Sequence, residues 1–242
     1  MKTRILRGLA LAFVPILVAG CSGGDKPVWQ EYITLPHYIW AYYDGPLTVD
    51  FRRLCVCISE PGEFSDTKVC SAEGVGGENL DEFLRLAEAN GDTDYDKPMR
   101  NLMSRHTCFA RTIREVHVVS NFDYDDAHPA GTSLDDIVCI WIESFAPFIR
   151  SGYRFDYPSD EYGIVPELHR SVRMLSEPQT DIGLVMASDV FSFGFTALPE
   201  EYTRKYSFTF TFVMADGATQ TVTAMGVPST PGWLRDYLRD RS

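Results

Sequence analysis

The sequence is short of positive charge. Its 242 residues include 22 lysines and arginines against 34 aspartates and glutamates, which gives a formal net charge of −12. A surface this acidic repels the phosphates of nucleic acids and of anionic lipid headgroups. We therefore expect no nucleic-acid partner.

The sequence also lacks the short motifs of common catalytic sites. Its five histidines are scattered, and no pair has metal-ligand spacing on one helix. Neither a nucleophile elbow nor a phosphate-binding glycine loop is present. A nucleophilic thiol would need His106 and Cys108 together in a cleft with an orienting group, and a buried structural cysteine is the commoner arrangement. The absence of these sequence motifs argues against an enzyme of a familiar class.

Long apolar runs are missing except at the N-terminus. There, Lys2, Arg4 and Arg7 precede an apolar run of 13 residues at 8–20, and Cys21 follows. A membrane-spanning helix needs about 20 apolar residues. A basic start, a shorter apolar run and small residues before a cysteine are instead typical of a lipoprotein signal. The pattern predicts a signal peptide over residues 1–20.

Cys21 is then the expected site of lipidation. One acyl chain binds a membrane only marginally, so the two chains of a diacylglycerol on Cys21 would supply the stable anchor. Residues 21–27 read as a flexible tether, and residues 28–242 as one globular domain. Removing the three basic residues of the signal takes the net charge from −12 to −15.

Cysteine is sparse in the remaining chain, which contains an odd number of thiols. They are Cys55, Cys57, Cys70, Cys108 and Cys139. At least one thiol must therefore be free or pair with another molecule. Cys55 and Cys57 would point the same way on a strand, about 6–7 Å apart, whereas a disulfide needs Cβ atoms near 4 Å. We expect these two not to pair with each other.

One helix stands out. Residues 79–90 carry apolar side chains at helical spacing, with Asn79 and Glu82 placed as a capping box and Gly91 as a stop. Residues 98–104 are expected to form a short helical turn.

Strand signals dominate the rest of the chain. Residues 47–59 read as one strand with a bulge or a change of buried face at Arg52 and Arg53. The segment 206–214 alternates aromatic and hydroxyl side chains, and Asp216-Gly217 predicts a type I′ turn into a partner strand at 219–225. Further strands are expected at 112–120, 137–142, 183–186 and 191–195. The pattern predicts a mainly β protein, an antiparallel β-sandwich that is immunoglobulin-like or related.

Alternating acidic residues suggest one candidate metal site. Asp123, Asp125 and Asp135 provide the oxygen ligands that calcium prefers. An EF-hand is excluded, because Asp126 stands where that loop needs glycine and Thr132 where it needs a bidentate glutamate. A looser structural calcium site at the three aspartates remains a hypothesis, and a solvated acidic loop is the favoured alternative.

An aromatic run near the start of the domain is the best candidate for binding. If the segment is a strand, Tyr38, Trp40 and Tyr42 share one face. If these side chains are exposed, they could stack on sugars or bind a partner protein. The favoured alternative is that they belong to the core, because large aromatic side chains are usually mostly buried.

Two stretches resemble a known group of proteins. The segment 128–136 follows the acidic run 123–126, and together they are similar to part of an uncharacterised lipoprotein family of Bacteroides-type bacteria. The hairpin at 208–223 is similar too, and the likeness extends over roughly residues 45–227, leaving the tail at 233–242 outside. The resemblance implies a diderm host and, because Ser22 rather than aspartate follows Cys21, an outer-membrane location. It brings no catalytic residues.

These observations favour a membrane-anchored envelope lipoprotein that acts as a non-enzymatic binding or structural module. The expected partners are the membrane, through Cys21, and a glycan or another envelope protein. The alternative is a hydrolase acting on glycans or cell wall through paired carboxylates. A deep cleft with two facing carboxylates would favour the hydrolase, and an exposed aromatic patch would favour binding.

Overall fold

The computed structural model describes residues 32–58, 66–71, 79–100, 106–154, 168–178 and 182–241. In this part the chain is mainly β, with thirteen strands in four sheets and three helices. The strands are β1 (Tyr32–Leu35), β2 (Ile39–Tyr43), β3 (Leu47–Asp50), β4 (Cys55–Ile58), β5 (Lys68–Ser71), β6 (Lys97–Arg100), β7 (His106–Phe109), β8 (Ile113–Ser120), β9 (Val138–Ser144), β10 (His169–Met174), β11 (Phe191–Phe195), β12 (Tyr206–Met214) and β13 (Thr219–Gly226). The helices are α1 (Leu80–Asn90), α2 (Ala146–Arg150) and α3 (Gly232–Arg239).

Two antiparallel sheets share the main hydrophobic core. One has the strand order β10-β9-β11-β4-β3 and the other β13-β12-β8. Their phenylalanines meet across the core: the ring centroids of Phe193 and Phe210 lie 5.2 Å apart, and those of Phe195 and Phe208 also 5.2 Å. Burying each such ring contributes roughly 1.5–3 kcal/mol by transfer from water. We call these two sheets and their core the two-sheet body.

The predicted C-terminal hairpin is confirmed, but its turn is of another type. Along β12, buried and half-buried residues alternate strictly. The Met214 amide donates to the Ala218 carbonyl at 2.8 Å, and Gly217 has a φ of 84°. Asp216 does not share the positive φ that a type I′ turn requires. The loop instead has three residues and ends on a left-handed glycine, a common hairpin geometry.

The single strand predicted at 47–59 is a hairpin. Strands β3 and β4 pair antiparallel, with Leu47 opposite Ile58 and Asp50 opposite Cys55. The Asp50 carboxylate accepts the Arg52 amide at 2.8 Å and so stabilises the turn at 51–54. The change of buried face at the arginines comes from a chain reversal, not a bulge.

The edges of the two sheets approach each other where β3 lies beside β13. The Gln220 side chain donates to the Leu47 carbonyl at 3.3 Å. Farther along, the Phe51 ring covers Gly226, where a Cβ atom would have no room. The same ring stacks on Phe208 with centroids 5.1 Å apart. Phe51 therefore joins the two edges at this end.

A smaller sheet, β5-β2-β7, separates the main core from a second one. Its β2–β7 pair is parallel. The second core contains Phe83 of α1 and Phe148 of α2. Helix α1 ends at Gly91 as predicted, with a φ of 72°. The capping box does not form, because Asn79 is left-handed and its side chain donates to the Val69 carbonyl at 2.9 Å.

Further segments differ from the sequence expectations. The strand expected at 183–186 is reduced to isolated bridges of Val185 with Ser144 and of Met186 with Cys108. Residues 97–100 form β6, which pairs with β1, in place of the helical turn expected at 98–104; residues 101–104 lie outside the described residues. The unexplained tail contains α3, whose Leu234 is fully buried and approaches Gly194 of β11. Trp233 packs edge-to-face on Trp141 with ring centroids 5.5 Å apart. The tail thus covers the outer face of the five-stranded sheet.

The described elements all fall within one compact unit. Among these residues, no helix combines the length and hydrophobicity needed to span a bilayer. The predicted signal peptide, Cys21 and the tether lie outside the described residues.

Candidate functional site

One end of the two-sheet body gathers four connecting segments. The registers place the end of β3 beside the start of β4, the end of β11 beside the start of β9, and the start of β12 beside the ends of β8 and β13. We call this region the loop end; it comprises residues 51–54, 121–136, 196–205 and 225–230. Connections clustered on a rigid scaffold are where proteins commonly place binding residues.

The loop end concentrates the exposed apolar surface of the molecule. In the part of the chain that is described, seven large hydrophobic side chains are exposed, and five of them lie here. They are Phe122, Leu198, Tyr202, Met225 and Val227. Single exposed apolar residues need no explanation, but a cluster marks an interaction surface.

Hydrogen bonds within residues 121–136 give this loop a defined shape. The Asp123 carboxylate accepts the Ala130 amide at 2.9 Å. Asp125 accepts the amides of Ala127 at 2.9 Å and His128 at 2.8 Å. At the base, Asp135 accepts the Val118 amide of β8 at 3.0 Å. The loop is therefore ordered before any partner arrives.

His128 links two carboxylates of this loop. Its Nδ1 lies 2.7 Å from Asp125, and its Nε2 lies 3.1 Å from Asp136. Both ring nitrogens face acceptors, so both donate only when the imidazole is protonated. Burial of His128 opposes protonation, but the two carboxylates outweigh it and raise the pKa of His128.

Tyr124 fixes the acidic loop to its neighbour. Its ring is buried and stacks on Phe195 with centroids 5.9 Å apart. Its hydroxyl donates to the Ala197 carbonyl at 2.8 Å. Burial raises the pKa of Tyr124, so the hydroxyl keeps its proton. The loops 121–136 and 196–205 are thus held together.

Arg204 lies against one exposed and one buried aromatic ring. Its guanidinium carbon lies 5.4 Å from the ring centroid of Phe122 and 5.7 Å from that of Tyr206. A guanidinium within about 6 Å of a ring is attracted to its π face. Phe122 is therefore held in place although it is exposed.

A shallow hollow of about 610 Å³ opens beside these side chains. We call it the basic hollow, because Arg52 and Lys205 lie on its rim. Its lining is Val49, Asp50, Phe51, Arg52, Lys205, Met225, Gly226 and Val227.

The candidate aromatic platform does not form, and the favoured alternative, that its side chains belong to the core, is confirmed. Tyr38, Trp40 and Tyr42 are only 1 %, 8 % and 0 % exposed. They also do not share a face: Trp40 packs in the main core, while Tyr38 and Tyr42 pack in the second. The register of β2 against β7 shifts between Ile39 and Ala41, which breaks the alternation. These side chains offer no surface for stacking.

The carboxylates proposed for calcium have protein partners. Asp123 and Asp125 bind the loop as described, and Asp135 accepts from His117 Nδ1 at 2.8 Å. Over the described residues, no three His, Cys, Asp or Glu side chains are grouped to hold a metal ion. The structure does not bring Asp123, Asp125 and Asp135 together as ligands.

The most deeply buried carboxylate, Asp92, lies outside the loop end. It accepts the amides of Tyr38 at 2.7 Å and Ile39 at 2.8 Å, and the Tyr153 hydroxyl at 2.9 Å. Burial raises the pKa of Asp92, although these hydrogen bonds oppose the shift. It is fully enclosed, so it ties the end of α1 to β2 and reaches no substrate.

Sequence reasoning missed Phe122, Tyr202 and Met225. Phe122 carries a weak signal, because it is an apolar residue between the polar residues Asn121 and Asp123. Met225 carries no sequence signal, since its exposure depends on which face of β13 points outward.

No family model, curated protein or solved structure matches the chain. Its function must therefore be inferred from its own geometry.

Proposed function

We propose that this protein is a membrane-anchored envelope lipoprotein that binds another protein through its loop end, without catalysis. The observation that carries this function is the concentration of five of the seven exposed large hydrophobic side chains of the described residues on three of the four segments of the loop end. The hydrogen-bonded acidic loop and the Tyr124 contacts support it, since a preorganised surface loses little entropy on binding.

The composition of the loop end favours a protein partner over a glycan. Methionine, aromatic residues and arginine are enriched in protein–protein interfaces, and Met225, Tyr202 and Arg204 lie here. Sugars prefer flat aromatic faces. Leu198, Met225 and Val227 provide none, and Arg204 covers the ring of Phe122 at 5.4 Å. A glycan is therefore the less suitable ligand for this surface.

The finer fold assignment also belongs to this proposal. Two antiparallel sheets sharing one aromatic core support an antiparallel β-sandwich that is immunoglobulin-like or related. Sandwiches of this kind bind through loops at one end, as proposed for this chain.

The anchor is proposed from the sequence alone. Cleavage before Cys21, diacylation of its sulfur and retention at the outer membrane of a diderm bacterium would hold the body on the tether 21–27. The tether would let the loop end reach a neighbouring protein.

The hydrolase alternative has less support. A shallow hollow of about 580 Å³ at the start of α1 includes Asp81 and Glu82. A general acid needs a raised pKa, whereas the hydrogen bond from Arg85 lowers the pKa of Glu82. The basic hollow contains a single carboxylate, Asp50.

Photo-cross-linking in the native envelope tests the binding function. A photoreactive residue at Tyr202 should form a cross-link to a protein, and one at Leu84, another exposed large hydrophobic position but on α1, should not. Met225→Asp should abolish the cross-link from position 202. Equal cross-linking at both positions, none at either, or a protease-resistant glycan product would contradict the proposal.

A further inference from the structure

The basic hollow lies between the β3–β4 turn and the end of β13. Its floor is closely packed: the Phe51 ring covers Gly226 and stacks on Phe208 at 5.1 Å. The hollow is therefore formed by core contacts of the two-sheet body.

Two cations face this hollow without counter-ions. Neither Arg52 nor Lys205 makes an ion pair with any residue that the structure describes. The basic residues next to them in the sequence do form ion pairs: Arg53 pairs with Asp189 at 3.3 Å, and Arg204 with Glu201 at 3.4 Å. Arg52 and Lys205 are both exposed, so the hollow presents two cationic side chains to solvent.

The one carboxylate in the hollow is committed to the turn. Asp50 accepts the amides of Arg52 at 2.8 Å and Arg53 at 3.4 Å through the same oxygen. The hollow keeps one net positive charge after Asp50 is counted. Its other wall is apolar, since Met225 is 65 % exposed and Val227 is 37 % exposed.

We propose that the basic hollow receives an acidic segment of the partner protein, in which a carboxylate side chain meets Arg52 and Lys205 and an adjacent apolar side chain packs on Met225 and Val227. This subsite rests on the binding function proposed above and specifies the chemistry of its partner. Charge complementarity selects the occupant, because the two cations have no counter-ion in the described structure. An anionic bilayer is disfavoured, because its extended charge would face the whole chain with its net charge of −12. A short acidic segment instead meets mainly the local charge of the hollow, since more distant charges are screened.

A labelled peptide with leucine flanked by glutamates tests the subsite. Its binding to the full-length lipidated protein in zwitterionic nanodiscs is measured by fluorescence anisotropy. The double variant Arg52→Gln/Lys205→Gln should weaken binding by about tenfold or more, because two charge contacts are lost. Met225→Ser should weaken it by about fivefold through lost apolar burial.

The matched control is Arg53→Gln. Arg53 is on the same turn, but its guanidinium pairs with Asp189 and does not line the hollow. This variant should change the peptide Kd by less than about twofold. A peptide with glutamine in place of glutamate should bind as weakly to the wild type as the acidic peptide binds to the double variant.

Three results would overturn the subsite: equal binding of the glutamine peptide, an equal effect of Arg53→Gln, or protein binding to anionic vesicles with no binding to the peptide. In each case a persisting cross-link from position 202 would leave the binding function intact. Loss of that cross-link in the wild type would instead remove the function itself.

Discussion

At the residue scale, His128 controls the shape of the acidic loop. It is 8 % exposed and contacts Asp125 on one side and Asp136 on the other. The ring of Tyr124 also lies beside His128, with the two ring centroids 6.4 Å apart. The cation bridges two carboxylates that would otherwise repel each other.

Replacing His128 should remove a pH-dependent part of the stability. The folded pKa of His128 is raised, so its contribution is complete below the unfolded value of about 6.5 and is lost as the pH rises through the folded pKa. His128→Asn should cost about 1–2 kcal/mol at pH 6 and less at pH 9. Urea unfolding of wild type and variant at both pH values measures the difference.

The control is His117→Gln, which removes a more exposed histidine. The hydrogen bond with Asp135 raises the pKa of His117, so the loss of stability in this variant should also be larger at low pH. The loss should be smaller than for His128→Asn, because the His117 side chain is 46 % exposed. A His128→Asn cost that grows from pH 6 to pH 9 would contradict this account.

Truncating two neighbouring side chains of β12 should lower the free energy of unfolding by very different amounts. Phe210 is fully buried between the sheets, while Thr211 is half-buried on the outer face. Phe210→Ala should cost about 3–5 kcal/mol, and Thr211→Ala less than about 1 kcal/mol. Denaturant unfolding of both variants tests this, and equal costs would mean that the outer face is covered.

At the scale of elements, two hairpins position the basic hollow. The β3–β4 hairpin brings Phe51 over the end of the β12–β13 hairpin, and Gly226 leaves space for the ring. The contact links segments that are far apart in the chain. The glycine is required for close approach, not for its backbone conformation.

Gly226→Ala should therefore destabilise the protein. The new methyl group would displace Phe51 from Phe208, at a cost of about 1–3 kcal/mol or more. Gly232→Ala is the matched control, because the nearest atom to its added Cβ, from Arg235, is 3.8 Å away, and it should change stability by less than about 0.5 kcal/mol. Thermal unfolding of the two variants measures the difference, and similar melting temperatures would contradict the packing described.

Elements with local signals could be predicted from the sequence, and those set by distant contacts could not. Helix α1 with its Gly91 stop and the β12–β13 hairpin follow from spacing and turn residues. The β3–β4 reversal was missed, because Arg52 and Arg53 carry no glycine or proline signal. Strand β6 was missed because its pairing partner β1 is about sixty residues away in the chain.

At the scale of the whole molecule, the five described thiols are distributed over the fold and none is in a disulfide. The expectation that Cys55 and Cys57 do not pair is confirmed. Burial raises the pKa of Cys55 to about 12, that of Cys70 to about 11 and that of Cys139 to about 12. Thiols that stay protonated react slowly with alkylating reagents.

Alkylation should therefore distinguish the folded from the unfolded chain. In the native protein only Cys57, which is half-buried, should react with iodoacetamide within minutes. In denaturant all five of these thiols should react, whereas Cys21 should not if it carries the proposed lipid. Mass spectrometry after timed quenching counts the adducts, and fewer than five in the denatured monomer would reveal a disulfide or another modification.

The candidate site was less predictable than the fold. Tyr38, Trp40 and Tyr42 have the residue types of a binding surface, but all three are buried. Trp40 packs in the main core, while Tyr38 and Tyr42 pack in the second core against Phe148 of α2 and Phe83 of α1. Phe122 and Met225 look ordinary in sequence and become exposed through their place at strand ends. Exposure depends on the tertiary neighbours, which local patterns do not specify.

The approach of β3 to β13 has a consequence for self-association, if the proposed lipid anchor holds many copies of the chain on one membrane. Lipid-anchored copies would diffuse in two dimensions at high local concentration, where an open sheet edge is a template for aggregation. Here the Gln220 side chain bonds to Leu47 and the Phe51 ring covers Gly226, so each edge is occupied by the other. The uncharged strand β13, which has none of the lysines that protect many edges, is shielded within its own molecule.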